Sequence, residues 1–355
     1  MTDDWLIYGA YGYTGKLVVE EAVRRGHQPL LAGRNASKLA SLAEQHNLDW
    51  MALDLQDAAA MAKALSSVDL VFHAAGPFVD TSYPMIQACL AGKTHYVDIT
   101  GEIPVFENIF RYDERARDRG IALMPGVGFD VVPTDCMARY VAEQLPGATR
   151  LELAFAGMSK TSAGTAKTML ELMPTLKKGS LARRDGHYVH RPLGEGTRKV
   201  RFADGRTRTV VPIPWGDLAT AFRSTRIPNI TTYMAMRISP DAIRAARFIQ
   251  KLMALKLIRK LAQNFVIRTV KGPTAHTREL ARSYVWARVE DDSGHSVEAW
   301  LDTTEGYRFT AVAGVRSVEK LLELRPAGAF TPAQLFGPDF VLEIETTRRY
   351  DALPE

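Results

Sequence analysis

WLIYGAYGYTG (Trp5–Gly15) joins an apolar run, Trp5 to Ala10, to glycines at positions 9, 12 and 15, and a helical pattern follows from about Thr14 to Arg25. A strand that turns through glycines into a helix is how a parallel α/β sheet begins. Glycines there allow a tight turn and a close backbone approach. The free N–H groups and dipole of the helix N-terminus attract negative charge. The spacing predicts an anion-binding, dinucleotide-type loop built from Gly9, Tyr11, Gly12, Tyr13, Thr14 and Gly15.

The same grammar continues downstream. Gly26 ends the first helix and PLLAG (Pro29–Gly33) reads as a second strand, followed by short apolar runs at Trp50–Leu55, Asp69–Ala75, His95–Thr100 and Ile121–Gly126. Amphipathic segments separate them, which predicts a doubly wound parallel sheet of the Rossmann type. After Val127 longer alternating segments take over. A helix through CMARYVAEQL with Thr134 or Asp135 as its cap, a strand at Leu151–Gly157, and hairpins turning at Ala203-Asp204-Gly205 and Asp292-Ser293-Gly294 predict a second, α+β domain with a mostly antiparallel sheet. The expected division is 1–128, 129–335 and a C-terminal segment, 336–355, that returns to the first domain.

Composition narrows the function. A chain of 355 residues with 46% hydrophobic and 24% charged residues suits two soluble domains. Cys89 and Cys136 are far apart and the histidines are scattered, so neither a disulfide framework nor a metal site is expected. The start MTDDW lacks the pattern of a secretory signal and no apolar run is long enough to span a bilayer, which points to the cytoplasm. A net charge of +5 is too mild to call for nucleic acid. Much of the excess sits in residues 240–271, where cations such as Arg247, Lys251 and Lys260 alternate with apolar residues at near-helical spacing. Such a helix is either a solvated basic face over a core or an interfacial helix touching anionic lipid at the inner face of the membrane.

The end of the second strand selects the nucleotide. A carboxylate there would hold ribose hydroxyls, whereas this chain has Arg34, with Asn35, Ser37 and Lys38 as further donors, and that arrangement favours the 2′-phosphate of NADP(H). Asp54 falls where it can lie near the adenine or cap the next helix. HAAGPF (His73–Phe78) brings the small backbone of Ala75, Gly76 and Pro77 to where a nicotinamide ribose would sit.

Candidates for chemistry follow the strand ends. Asp98, Thr100 and Glu102 can bind a substrate amine or take a proton, or the two carboxylates can cap the next helix. PGVGFDVVPTD (Pro125–Asp135) either presents Asp130 to a cleft or serves as a hinge. SKTSAGTAKTM (Ser159–Met169) sets Ser162, Thr165 and Lys167 before a helix, to hold an anionic group or to supply its N-cap. No tyrosine is followed four residues later by lysine, and neither GxSxG nor HExxH occurs.

Taken together, GAYGYTG, AGR, AAGPF, YVDITGE, PGVGFDVVPTD and LFGPDF resemble the saccharopine dehydrogenase-like reductases over most of the chain, above all the bacterial branch that includes the trans-acting enoyl reductases. The resemblance implies NADP-linked redox chemistry but carries over no acid or base. It leads to the expectation of an NADP(H)-dependent oxidoreductase that moves a hydride to or from an enoyl or imine-type substrate, lipid-like or amino-acid-derived, between two domains of a homodimer. The alternative from another class is an NADP-binding sensor or scaffold without turnover.

Overall fold

Residues Trp5–Tyr8 form strand β1, buried along its whole length. Successive strand side chains point to opposite faces, so a strand apolar on both belongs in a sheet covered on both sides. The computed structural model, which describes residues 4–157, 179–236 and 272–353, places β1 inside such a sheet. The chain then runs α1 (Tyr13–Arg24), β2 (Leu30–Gly33), α2 (Ala36–His46), β3 (Trp50–Ala52), α3 (Ala58–Leu65), β4 (Leu70–His73), α4 (Phe78–Gly92), β5 (His95–Asp98), α5 (Ile103–Phe110), α6 (Asp113–Arg119) and β6 (Ala122–Met124). After α7 (Val132–Gln144) come β7 (Arg150–Ala156), β8 (Ser180–Arg184), β9 (His187–Arg191), β10 (Arg198–Arg201), β11 (Thr207–Pro212), α8 (Asp217–Thr225), β12 (Asn229–Ala235), α9 (Ala275–Leu280), β13 (Arg282–Glu290) and β14 (Ser296–Thr304). Helix α10 (Gly306–Leu324), β15 (Gly328–Ala329), α11 (Pro332–Phe336) and β16 (Arg348–Tyr350) complete it.

Two units result, Met1–Val132 with Tyr307–Gly337, and Pro133–Gly306 with Pro338–Glu355. The expected tail, 336–355, is not what returns to the first unit. Residues 307–337 return instead, because α10 is the helix that covers the open part of one sheet face, while β16 pairs with β14 in the second unit.

The first unit holds a parallel sheet in the order β15-β6-β5-β4-β1-β2-β3. Ile7, Phe72 and Val97 pack on one face against Val18 and Leu39, and against Val315, Val318 and Leu321 of α10. Leu6, Val71 and Tyr96 pack on the other against Met85, Ile86, Val105 and Ile109. Each such side chain contributes roughly 1.5–3 kcal/mol by leaving water. The contact with α10 is close enough that a Cβ on Gly314 would lie 2.7 Å from the Phe72 ring. Strand order reverses between β1 and β4, and in open α/β sheets such a reversal opens a crevice beyond the strands' C-terminal ends.

The second unit is a mixed sheet in the order β10-β11-β12-β7-β13-β14-β16, with β8 and β9 branching from β12. Among the described residues only β7 and β12 pair in parallel; the other pairs are antiparallel. Both expected hairpins are present. In the β13–β14 turn Asp291 accepts from the amides of Ser293 and His295. A third hairpin, β8–β9, turns at Asp185-Gly186. Helix α7 starts at Val132, so Thr134 and Asp135 lie inside its first turn and do not cap it.

Candidate functional site

The site grows from the exit of β1. The Gly9 amide donates to Ala32 O at 2.8 Å and the Gly12 amide to Gly9 O at 2.9 Å, closing a tight turn in which Gly9 has φ +85°. A Cβ at Gly15 would collide with the Gly9 carbonyl oxygen. Helix α1 starts after Gly12 with no side-chain cap. No side chain therefore competes at the N-cap for the positive end of the helix dipole, as a phosphate would require. Gly9 also touches the β4 loop, since a Cβ there would lie 2.9 Å from the Ala75 Cβ, so the two loops flanking the strand reversal are in contact.

Around the end of β2 the charge is positive. Arg34 is exposed, and among the described residues it has no carboxylate partner. The Tyr11 ring lies over Gly33, and the Lys38 ammonium stands 5.7 Å from that ring's centroid. A cavity of about 310 Å³ opens between Tyr11, Lys16, Ser37, Lys38, Ser41 and Gln45. Asn35 caps α2, its Oδ1 accepting from Lys38 N at 3.0 Å and from Ser37 Oγ at 2.9 Å, which leaves only its Nδ2 for another partner. Tyr8 donates to Leu53 O at 3.1 Å; burial pushes its hydroxyl up to about 12, opposed by the nearby Arg34 charge. Asp54 is exposed and accepts from Gln56 N in a local turn, whereas α3 is capped by Asp57, so Asp54 is not the helix cap.

The β4 loop is braced from below. Thr81 Oγ1 lies 2.8 Å from Ala75 O and 3.0 Å from Pro77 O, across the cis Gly76-Pro77 bond. His73 Nε2 meets the same hydroxyl at 3.0 Å. Since the single hydroxyl proton goes to a carbonyl, His73 supplies its own Nε2–H, and burial holds its ring neutral with a pKa near 3. Glu102 completes the brace, accepting from Phe78 N at 3.0 Å and Val79 N at 2.7 Å. It occupies the N-cap position of α5 without capping that helix by its side chain, and instead caps α4.

The other carboxylates diverge in role. Asp98 is fully buried and accepts from Tyr96 Oη at 2.6 Å, Gly126 N at 2.8 Å and Thr100 N at 3.0 Å. Burial raises its pKa to about 6 against those three donors. The Gly126 and Val127 amides, both bound to Asp98, and the Phe129 amide, bound to Thr310 Oγ1 at 3.0 Å, pin the 125–131 loop. That loop sets Asp130 against Gly101, where a Cβ would lie 2.8 Å from Oδ2. Asp130 accepts no hydrogen bond among the described residues, and desolvation lifts its carboxyl to about 6. Asp130 is thus the free carboxylate of the group, and Asp98 and Glu102 are tied into the frame.

Ser162, Thr165 and Lys167 lie outside the described residues, as does the basic segment 240–271. Among the described residues no helix is long and apolar enough to cross a membrane. A histidine closing the otherwise apolar strand LVFH is a visible signal in the sequence, whereas nothing local marks Thr81.

Residues 5–124 match the model of the saccharopine dehydrogenase NADP binding domain. A trans-acting enoyl reductase of Mycobacterium tuberculosis is 29% identical over 196 residues, 51% of this chain and 47% of the relative. A human saccharopine dehydrogenase-like oxidoreductase is 26% identical over 162 residues, 40% and 38% of the two chains. The chain thus spans about half the length, or less, of the curated relatives it matches. Apo histidine-tagged saccharopine dehydrogenase (L-Glu forming) from Saccharomyces cerevisiae shares the fold, with a TM-score of 0.64 over 96% of both chains at 14% identity.

Proposed function

We propose, from the match of residues 5–124 to the saccharopine dehydrogenase NADP binding domain, that the whole chain is an NADP(H)-dependent oxidoreductase that reduces or forms a polarised double bond of the enoyl or imine type. The uncapped start of α1 and the turn through Gly9, Gly12 and Gly15 suit the pyrophosphate, with Tyr11, Tyr13 and Thr14 around it. Arg34 takes the 2′-phosphate, helped by Lys38 and the Asn35 amide. Asp54 borders the adenine, and Ala75, Gly76 and Pro77 offer backbone to the nicotinamide ribose. Once bound, NADP(H) supplies or accepts the hydride.

The observation that favours turnover over mere nucleotide sensing is Asp130, a carboxylate without a hydrogen-bond partner among the described residues and poised near pH 6 beyond the ends of β5 and β6. Its role is to deliver a proton to the atom next to the carbon that receives hydride, or to take that proton back in the reverse direction. The likeness to a trans-acting enoyl reductase favours a C=C bond as the reacting group.

Calorimetric titration with NADPH and NADH, followed by NADPH oxidation with an α,β-unsaturated thioester and with a cyclic imine, tests this reading. Saturable binding that favours NADPH, and turnover of one of the two compounds, are expected. Binding of neither nucleotide would overturn the proposal.

A further inference from the structure

The second unit carries a cavity of about 780 Å³, within the range of small-molecule sites. Its cations are nearly all neutralised within the protein. Arg150 bonds Glu290 at 2.6 Å, and Arg288 pairs with Glu290 and with Glu152. Glu152 is itself saturated by Arg198 and, at 2.8 Å, the Tyr233 hydroxyl. Arg191 turns Nε and Nη2 to Glu195 Oε1 and leaves Nη1 unused.

Arg184 differs from these. Its Nη1 donates to the carbonyls of Arg183 at 2.7 Å and Ile230 at 3.3 Å, and its Nη2 to Thr231 Oγ1 at 3.0 Å. All three partners are neutral, and no carboxylate pairs with this half-buried guanidinium among the described residues. Burial lowers its pKa and the charge of neighbouring Arg191 lowers it further, a net lowering that the charges of Glu152 and Asp185 oppose without cancelling. A cation withdrawn from water beside a second cation, with donors to spare, is a standing cost that an oxyanion would remove.

We propose that this cavity is a second ligand site, in which Arg184 and the free Nη1 of Arg191 take the carboxylate or phosphate group of a small polar molecule. The Arg184 fork suits such a planar or tetrahedral oxyanion, and the Glu152–Tyr233–Arg288 network gives a fixed polar wall for the rest of the ligand. This assignment lies wholly within the second unit and is independent of the redox reading.

Calorimetry of the full chain with tricarballylate in one arm and glycerol 3-phosphate in the other tests it and tells the two anions apart. Binding of one of them is expected, weakened roughly tenfold or more by Arg184→Lys, which keeps the charge but loses the fork. Arg191→Gln, which breaks only a loop ion pair, should also weaken it, whereas Arg150→Gln should not. Phosphate captured at the α1 N-terminus would be insensitive to Arg184 and Arg191 alike. Absence of binding in the millimolar range, or affinity unchanged in Arg191→Gln, overturns the proposal even if Arg184→Lys fails to fold.

Discussion

Asp130 lies directly over Gly101, with room for a hydrogen atom but not for a methyl group, since a Cβ would stand 2.8 Å from Oδ2 and 3.3 Å from the Asp130 Cβ. Gly101→Ala should push the carboxylate aside while the buried frame around Asp98 and Glu102 holds. A displacement near 1 Å of a reacting group costs up to about a hundredfold in rate. Turnover of Gly101→Ala is therefore expected to fall at least roughly tenfold with NADPH affinity unchanged; equal losses in both would remove Asp130 from its proposed role.

Asp130→Asn separates chemistry from stability. Burial raises the carboxyl from 3.8 to about 6, so ionising it in the folded state is disfavoured. A raised acid contributes stability that is complete below its unfolded value and is lost as pH rises through about 6. Asparagine should therefore stabilise the protein by about 2 kcal/mol at pH 8 and by little at pH 4, in denaturant titrations. In the reductive direction the wild-type rate should decline as pH rises above about 6, and the variant should lose that titration with most of its turnover.

Arg34→Ala should discriminate between the nucleotides. An exposed guanidinium without a carboxylate partner among the described residues is free to clasp a 2′-phosphate. A charge-assisted hydrogen bond is worth about 1.5–3 kcal/mol, so NADPH affinity should drop roughly ten- to a hundredfold and NADH affinity by less than about twofold. Equal losses would shift 2′-phosphate recognition to the Lys38 side.

Glu319 on α10 fixes the acid limit of the first unit. Burial raises its pKa, but Arg25 at 2.6 Å, His27 at 2.9 Å and Arg316 at 2.6 Å outweigh that and hold it near 2. A depressed carboxyl contributes stability present above its unfolded value of 4.5 and lost as pH falls toward about 2. Glu319→Gln should cost up to about 3 kcal/mol at pH 7 and almost nothing at pH 2, by thermal unfolding across that range.

The glycine turn and the alternation of strands and helices were legible because both are local. A period of two or 3.6 residues and a spacing of three announce themselves within a dozen positions. Asp98 and Glu102 stood out as carboxylates at a strand end, yet their work is not written near them. Glu102 caps a helix that starts 24 residues earlier, and Asp98 reaches Gly126, 28 residues later. The return of α10 was hidden for a related reason, because an amphipathic pattern tells that a helix buries one face but not which sheet receives it. Strand β15 is two residues long and has no period to detect. Nothing in the sequence marks Arg184, because a guanidinium without a carboxylate is defined by what its folded neighbours lack.

The borrowed helix and strand from residues 307–337 give the nucleotide-binding unit a discontinuous pedigree. During synthesis α10 cannot cover Phe72 until the ribosome has passed residues 133–306 of the second unit, so apolar surface stays uncovered through much of translation. A fragment ending at Val132 would inherit that bare face permanently, which makes it a poor choice for studying nucleotide binding in isolation.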